Sequence, residues 1–172
     1  MLRGIGALCV VAAASVMGFG FAGGVRRQER QLAAMLDALT FLKSEILYRK
    51  TPLAETFTLV AAAAQEQGTR AFFRCCAHAM RSDRTLRPMQ VFQTALDRTA
   101  ELRLAMPARQ TLLTLGASLG EFDLDGQSRA LELALARLSS QLRRLEEGSG
   151  ARRRSYATIG VCAGLAVAVI LL

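Results

Sequence analysis

The stretch LELALARLSSQLRRL, residues 131–145, decides the class of fold. Its leucines recur in alternating steps of four and three residues, at Leu131, Leu135, Leu138, Leu142 and Leu145. This spacing places them along one face of an α-helix that packs against a neighbouring helix. The pattern predicts a long helix over about 125–147, ended by the sequence Gly148-Ser149-Gly150.

Five further amphipathic segments precede this helix. The first covers residues 27–50 and ends at Thr51-Pro52, where Thr51 is predicted to cap the second helix and Pro52 to occupy its first position. Gly68 is predicted to end the second helix, while Pro88 and Pro107 begin the fourth and fifth. The apolar stripes contain Leu32, Met35, Leu36, Leu39, Leu42 and Ile46; Leu53, Phe57, Val60, Ala61 and Ala64; Phe73, Cys76, Ala77 and Met80; Phe92, Ala95 and Leu96; and Leu112, Leu115 and Leu119. Since no alternating strand pattern is found, the sequence predicts an all-α, six-helix bundle.

Two uncharged apolar stretches flank this bundle, and both are long enough to be membrane spans. Gly4 to Val25 provides 22 residues and Tyr156 to Leu172 provides 17, against about 20 needed and a minimum of about 17. Basic residues lie on the inward side of each stretch: Arg26, Arg27, Arg30, Arg152, Arg153 and Arg154. Because such residues favour the cytosolic side, we expect transmembrane helices over 1–25 and 155–172, a cytosolic helical domain over 26–154, and both termini outside.

A cleavable signal peptide is the alternative for the first stretch, with Arg3 as its basic start and Gly20-Phe21-Ala22 as its cleavage site. Two observations oppose it: most of the positive charge follows the stretch, and the stretch exceeds the usual length of about 7–15 apolar residues. Both spans also carry glycines four residues apart, Gly20 and Gly24 in the first and Gly160 and Gly164 in the second. Such spacing predicts packing between the two spans or self-association of the chain, although glycine is common in transmembrane helices anyway.

The charge balance indicates a membrane surface rather than nucleic acid. All 14 acidic residues and 21 of the 22 basic residues lie within 26–154. Anionic lipid attracts such a basic surface. No nucleic-acid-binding motif is present and aromatic residues make up only 6% of the chain, so no nucleic-acid partner is expected. Cys75 and Cys76 are adjacent and Cys9 and Cys162 lie in the spans, which fits a reducing compartment rather than a disulfide framework.

The sequence shows no pattern of catalytic, cofactor or metal-binding residues. It contains no phosphate-binding loop, no paired Cys and His spacing, and no nucleophile motif. His78 is the only histidine and is expected to be an ordinary surface or core residue. The acidic segment with Glu121, Asp123, Asp125 and Gly126 fails as a calcium loop because position 134, where a carboxylate ligand is needed, is alanine. These acids are expected to cap the last helix or to face a partner.

The segment from Leu115 to Gln127 carries two glycines four residues apart. Gly116 and Gly120 would allow a close approach by another helix or by a turn. A helix cap and tight turn is one interpretation of Gly120. An interface that includes Asp123 and Gln127 is the other.

The order of these features resembles the stage III sporulation protein AB family of endospore-forming bacteria. The resemblance is carried by the glycine-rich first span running into Arg26-Arg27, and by the second span near the C-terminus. Two internal motifs add to it: Leu39-x-x-Leu42-x-x-Glu45-Ile46-x-Tyr48-x-x-Thr51-Pro52-Leu53-x-Glu55, and LG-x-x-LG-x-x-D-x-x-x-Q from Leu115 to Gln127. It covers almost the whole chain, but no motif is matched between Gln65 and Arg109.

This resemblance implies a function that composition does not. The family is similar to the cytoplasmic six-helix domains of type II secretion F platform proteins. It implies a non-enzymatic scaffold in the mother-cell membrane facing the forespore, within a secretion-like sporulation complex. It also implies the stage III sporulation AA-type ATPase and other channel components as partners. The partner interface would contain Tyr48, Thr51, Pro52, Leu53, Glu55, Gly116, Gly120, Asp123 and Gln127. The alternative function is a membrane-tethered regulatory or anionic-lipid-binding module.

Overall fold

The computed structural model describes the backbone of residues 2–83, 85–121 and 123–171, and the side chains of residue 24 and of residues 26–83, 85–120 and 123–148. The described backbone forms six α-helices and no strand. They are α1 (Leu2–Leu47), α2 (Leu53–Ala63), α3 (Gln67–Ser82), α4 (Pro88–Arg98), α5 (Met106–Glu121) and α6 (Leu124–Leu171). The prediction of an all-helical chain with six helical segments is therefore confirmed.

The chain divides into two compact units. One unit is Arg27–Leu142, which holds the helical bundle, and the other combines Met1–Arg26 with Arg143–Leu172. Among the residues with described side chains, no helix combines the length and the apolar character that a membrane crossing requires. The two predicted spans, including Gly20, Gly160 and Gly164, lie outside those residues, while Gly24 is described and exposed.

The longest helices differ from the predicted ones at their ends. The predicted break at Gly148-Ser149-Gly150 is wrong, because the helical backbone of α6 continues through these residues. A glycine costs an interior helix only about 1 kcal/mol relative to alanine, and no proline is present to remove a backbone donor. The first helix also ends earlier than residue 50, at Leu47.

The core lies within Arg27–Leu142 and is built from the predicted apolar stripes. Met35, Leu39 and Leu42 of α1 are fully buried, as are Leu131 and Leu138 of the leucine seam in α6. Leu135, Leu142 and Leu145 are only half-buried, and Ala134 replaces them on the buried face. The seam therefore faces the core at Leu131 and Leu138, which are seven residues apart, and the leucines between and after them lie at its edge.

Four phenylalanines form the densest part of this core. Phe57, Phe72, Phe73 and Phe92 have no exposed surface, and four pairs of their rings have centroids 5.0–6.0 Å apart. Phe72 was absent from the predicted stripe. It is buried together with Phe73 because α3 packs against both α2 and α4, so its apolar face is wider than a single stripe.

Gly68 does not end the second helix as predicted. Helix α2 ends at Ala63, and Gly68 lies in the first turn of α3, which Glu66 caps by accepting a hydrogen bond from the Thr69 amide at 2.9 Å. A Cβ on Gly68 would lie 3.1 Å from both the Glu101 carbonyl oxygen and the Leu102 Cα. Glycine is needed there because a distant stretch of backbone passes against the helix.

A buried glutamine joins three parts of the chain at one end of the bundle. The Gln31 side chain donates to the Glu101 carbonyl at 2.6 Å and to Glu66 Oε1 at 3.3 Å, and it accepts from the Arg103 amide at 2.9 Å. We call this end, formed by residues 27–31, 64–66 and 99–105, the near end. It contains the point at which the chain enters the bundle.

The opposite end holds the remaining connections between helices, because consecutive helices run in alternating directions. We call it the far end; it consists of the α1–α2 turn (48–52), Pro88 at the start of α4, and Asp123 before α6. An ion pair of 2.7 Å between Lys43 of α1 and Glu132 of α6 joins the first and last helices toward this end.

Candidate functional site

The two predicted motifs meet at the far end. A cleft of about 230 Å³ there is lined by Ile46, Lys50, Thr51, Leu53, Leu119, Leu124 and Gln127. Thr51 and Leu53 come from the first predicted motif and Gln127 from the second. The fold thus brings together side chains that are distant in sequence, and we refer to this cleft with its exposed rim as the far-end surface.

A buried carboxylate holds the α1–α2 turn in place. Glu45 is 2% exposed; its carboxylate accepts a hydrogen bond from the Thr51 hydroxyl at 3.3 Å and pairs with Arg49 at 3.4 Å. The Glu45 carbonyl also accepts from the Thr51 amide at 3.3 Å. A carboxylate is tolerated in such a site only when it is paired and hydrogen-bonded, so these contacts fix the turn beside the cleft.

The start of α2 differs from the predicted cap. Pro52, not Thr51, occupies the N-cap position, and its side chain makes no capping hydrogen bond. Thr51 is unavailable because its hydroxyl turns back toward Glu45. The chain reverses instead through Lys50, whose φ of 53° is left-handed, and Thr56 donates its hydroxyl to the Thr51 and Pro52 carbonyls. A left-handed residue commonly ends a helix, but lysine gives no sequence signal of it.

The α5–α6 turn is closed by Asp123 and Gln127. Asp123 Oδ1 accepts from the Gly126 amide at 3.0 Å, and the Asp123 carbonyl accepts from the Gln127 amide at 2.9 Å. The acidic residue therefore caps α6, as one of the two sequence interpretations predicted. Gln127 donates its side chain to the Leu119 carbonyl at 3.3 Å and lines the cleft with its remaining surface.

Gly116 and Gly120 do not line the cleft. A Cβ on Gly116 would lie 3.1 Å from the Met89 Cα and from the Pro88 carbonyl, and one on Gly120 would lie 2.9 Å from the Pro88 ring. Neither glycine has a positive φ, so Gly120 is not a left-handed helix cap. Their role in the structure is to let α4 approach α5 closely.

The rim of the far-end surface exposes large side chains. Tyr48 is 84% exposed and Leu124 is 46% exposed, and Lys50, Glu55 and Asp125 lie in solvent around them. Leu124 and Lys50 were not among the predicted interface residues. An apolar residue directly after a helix cap was the signal that could have identified Leu124.

The chemistry of this surface suits contact with a macromolecule. Its cleft is smaller than the roughly 300–1,000 Å³ of typical small-molecule pockets. An exposed tyrosine beside a shallow apolar cleft is typical of protein interfaces, in which aromatic residues are enriched, and Leu124 adds apolar area to this surface. Among the described residues, no group of three or more His, Cys, Asp or Glu side chains could hold a metal ion, and His78 is exposed.

The fold and this surface define a class: a helical-bundle protein with a contact surface at one end. Comparison with known proteins identifies the family. The family model of stage III sporulation protein AB matches residues 3–172, and the chain therefore belongs to that family. It is 25% identical over 177 residues to stage III sporulation protein AB of Bacillus subtilis strain 168, with all of both chains covered.

A solved structure of a stage III sporulation protein AB has the same fold. It superimposes with a TM-score of 0.67 at 22% sequence identity. The similarity covers 72% of this chain and 97% of that chain.

Proposed function

We propose that this chain is a non-enzymatic membrane platform component of a secretion-like complex in sporulation, and that its far-end surface docks a cytosolic ATPase of the stage III sporulation AA type. Membership of the stage III sporulation protein AB family supports the sporulation role. The observation that carries the docking proposal is the convergence of Thr51, Leu53 and Gln127 on one cleft beside the exposed Tyr48.

The proposal includes a two-pass anchor in the mother-cell membrane facing the forespore. The spans Gly4 to Val25 and Tyr156 to Leu172, with arginines on their inward sides, favour a cytosolic bundle and external termini. The near end then follows the first span directly along the chain. The helical rise of about 1.5 Å per residue carries α1 about 30 Å from Arg27 to Leu47.

This length favours a protein partner at the far end. The field of a charged membrane falls off within about 8–10 Å at ordinary salt concentrations, a distance that is short compared with the length of α1 within the bundle. A large cytosolic ATPase can reach that end without approaching the bilayer. Tyr48 offers an aromatic anchor at low entropic cost, and the cleft next to it can receive an apolar side chain of the partner.

Capture of the purified ATPase by the 26–154 segment tests this proposal. Tyr48→Ala and Leu124→Ala are each expected to weaken binding by about 5- to 30-fold, the effect of removing a side chain worth about 1–2 kcal/mol. Leu133→Ala is the matched control, because Leu133 is 50% exposed on α6 away from the cleft. Asp123 is a poor probe, since its replacement would also remove the cap of α6.

The outcomes separate the surface from the function. Unchanged capture by both far-end variants would show that the ATPase binds elsewhere. No capture by the wild-type segment, together with salt-sensitive binding to anionic vesicles, would favour the lipid-binding regulatory alternative instead.

The topology and the packing of the spans need their own tests. Protease added to intact cells is expected to leave the 26–154 segment undigested, and digestion would contradict a cytosolic domain. Gly20→Leu and Gly160→Leu are expected to reduce oligomer size in detergent if the spans associate through their glycine faces, while an unchanged size would count against that packing.

A further inference from the structure

We infer that the near end, together with Arg98 at the adjoining end of α4, binds anionic phospholipid head groups through Arg27, Arg98 and Arg103, and so holds the bundle against the membrane surface. This inference rests on the proposed membrane anchoring but concerns a different end of the bundle and a different partner. Its basis is the position of these three arginines relative to the chain entry point, together with the lack of internal partners for their guanidinium groups.

The Gln31 contacts fix the position of this surface along α1, relative to the start of the bundle. Gln31 accepts directly from the Arg103 amide and donates to the Glu101 carbonyl, so the 99–105 connection lies level with Gln31. Four helical residues separate Gln31 from Arg27, a rise of about 6 Å. The connection therefore lies about 6 Å along α1 from Arg27, the first residue of the bundle, which is less than the screening length of about 8–10 Å.

The charged side chains at this end differ in whether they have partners within the bundle. Among the described residues, the side chains of Arg27, Arg98 and Arg103 are exposed and form no ion pair or hydrogen bond. Of the acids at this end, Glu66 accepts from Gln31 and from the Thr69 amide, and the exposed Glu101 lies 3.5 Å from the Gln67 side-chain nitrogen. One carboxylate oxygen of Glu29 has no hydrogen-bond partner among the described residues. The arginines are thus available to an external anion.

A shallow cleft lies next to Arg98, and its lining includes one acidic residue, Glu101. It has a volume of about 270 Å³ and is lined by Ala71, Cys75, Arg98, Thr99, Ala100 and Glu101. Guanidinium groups bind phosphate oxygens through two parallel hydrogen bonds, which suits the phosphodiester of an anionic lipid. A bundle held by two or three such contacts would have a fixed orientation, with its far end directed away from the lipid.

Hydrogen exchange of the full chain in lipid nanodiscs tests this inference. The amides of residues 99–105 are expected to exchange at least about fivefold more slowly in nanodiscs containing phosphatidylglycerol than in purely phosphatidylcholine nanodiscs. Each well-placed arginine contributes about a fivefold effect, or about 1 kcal/mol. The Arg98→Gln, Arg103→Gln double variant should lose most of this difference, as should the wild type in 0.5 M salt.

The control is the Arg87→Gln, Arg129→Gln double variant, which removes the same charge from exposed positions toward the far end. It should retain the lipid-dependent slowing. Equal exchange in the two lipids, or equal loss in both double variants, would overturn the inference. A third arm adds soluble glycerol phosphate to neutral nanodiscs; if it reproduces the protection, the site binds free anions and the membrane assignment is wrong.

This experiment is independent of the ATPase proposal. The nanodiscs contain no ATPase, and both bilayer faces have the same composition, so the result does not depend on cellular topology. Lipid-dependent protection with no ATPase capture would contradict the proposed ATPase docking and leave the near-end inference intact. ATPase capture without lipid-dependent protection would remove only the near-end inference.

Discussion

Replacing Gln31 by methionine is expected to destabilise the bundle by about 2–4 kcal/mol. The methionine fills a similar volume but can make none of the three hydrogen bonds, at 2.6, 2.9 and 3.3 Å, that Gln31 makes. Two of the abandoned partners are backbone groups, the Glu101 carbonyl and the Arg103 amide. The three hydrogen bonds are part-buried, and each is expected to contribute about 0.5–1.5 kcal/mol, so that their combined loss gives the expected range.

This loss is a large share of the total stability. A domain of about 120 residues has a free energy of unfolding of about 6–18 kcal/mol. Urea unfolding of the 26–154 segment, followed by circular dichroism at 222 nm, measures the change. Gln28→Met is the control, because Gln28 is a half-buried glutamine one turn earlier on the same helix with no hydrogen bond from its side chain.

Two results would refute the reasoning. If Gln31→Met loses less than about 1 kcal/mol, the buried hydrogen bonds contribute little and the near end is held by apolar packing. If Gln28→Met is equally destabilised, the effect belongs to α1 in general. Hydrogen exchange gives a second measure, since the Arg103 amide should lose protection in Gln31→Met and keep it in Gln28→Met.

Three further predictions concern packing and ionisation. Gly116→Ala should lower the free energy of unfolding by about 1–3 kcal/mol, because its Cβ would lie 3.1 Å from backbone atoms of Pro88 and Met89. Ser118→Ala is the control and should leave the free energy of unfolding unchanged in the same urea titration. Equal effects of the two substitutions would contradict the close approach of α4 to α5. Burial raises the pKa of the Cys76 thiol well above its usual value. Iodoacetamide at pH 8 should therefore modify the half-buried Cys75 first and Cys76 only in urea, as measured by mass spectrometry of peptide fragments. Modification of both cysteines in the native state would disprove this prediction. A hydrogen bond from Lys43 lowers the pKa of Glu132, and hydrogen bonds from the Thr85 hydroxyl and amide lower the pKa of Asp83. Both carboxylates therefore contribute stability at neutral pH that is lost as the pH falls below about 4. Lys43→Met should make the thermal midpoint depend less on pH between pH 3 and 7, and an unaltered pH profile would exclude the Glu132 contribution.

Much of the helical architecture follows from local sequence patterns. Leucine spacing at 131–145, the proline at 88 and the apolar stripe of α1 each depend on residues within one or two turns of each other. Such signals are readable without a fold because helix periodicity and helix starts are local properties. The Gly148-Ser149-Gly150 break was wrong for a related reason: a helix end needs a favourable alternative conformation, and glycine alone permits one without requiring it.

Only some of the predicted interface residues lie together on one surface. Thr51, Leu53 and Gln127 line one cleft, and Tyr48 and Glu55 are exposed on the adjoining turn and helix. Gly116 and Gly120 belong instead to the packing of α4 on α5, although they lie in the same sequence motif as Gln127. A motif groups residues by order along the chain, but on a helix neighbouring positions face different partners.

The sequence by itself determined that this chain folds as helices, where most of them begin, and to which family it belongs. Only the tertiary structure decided that the Thr51 hydroxyl donates to Glu45 instead of capping α2, and that Gly68 leaves space for the backbone of residues 101–102. It also decided that Gln31 joins three segments that are distant in sequence. The physical reason is that helix formation depends on neighbours along the chain, while buried polar contacts and close backbone approaches depend on residues that only folding brings together.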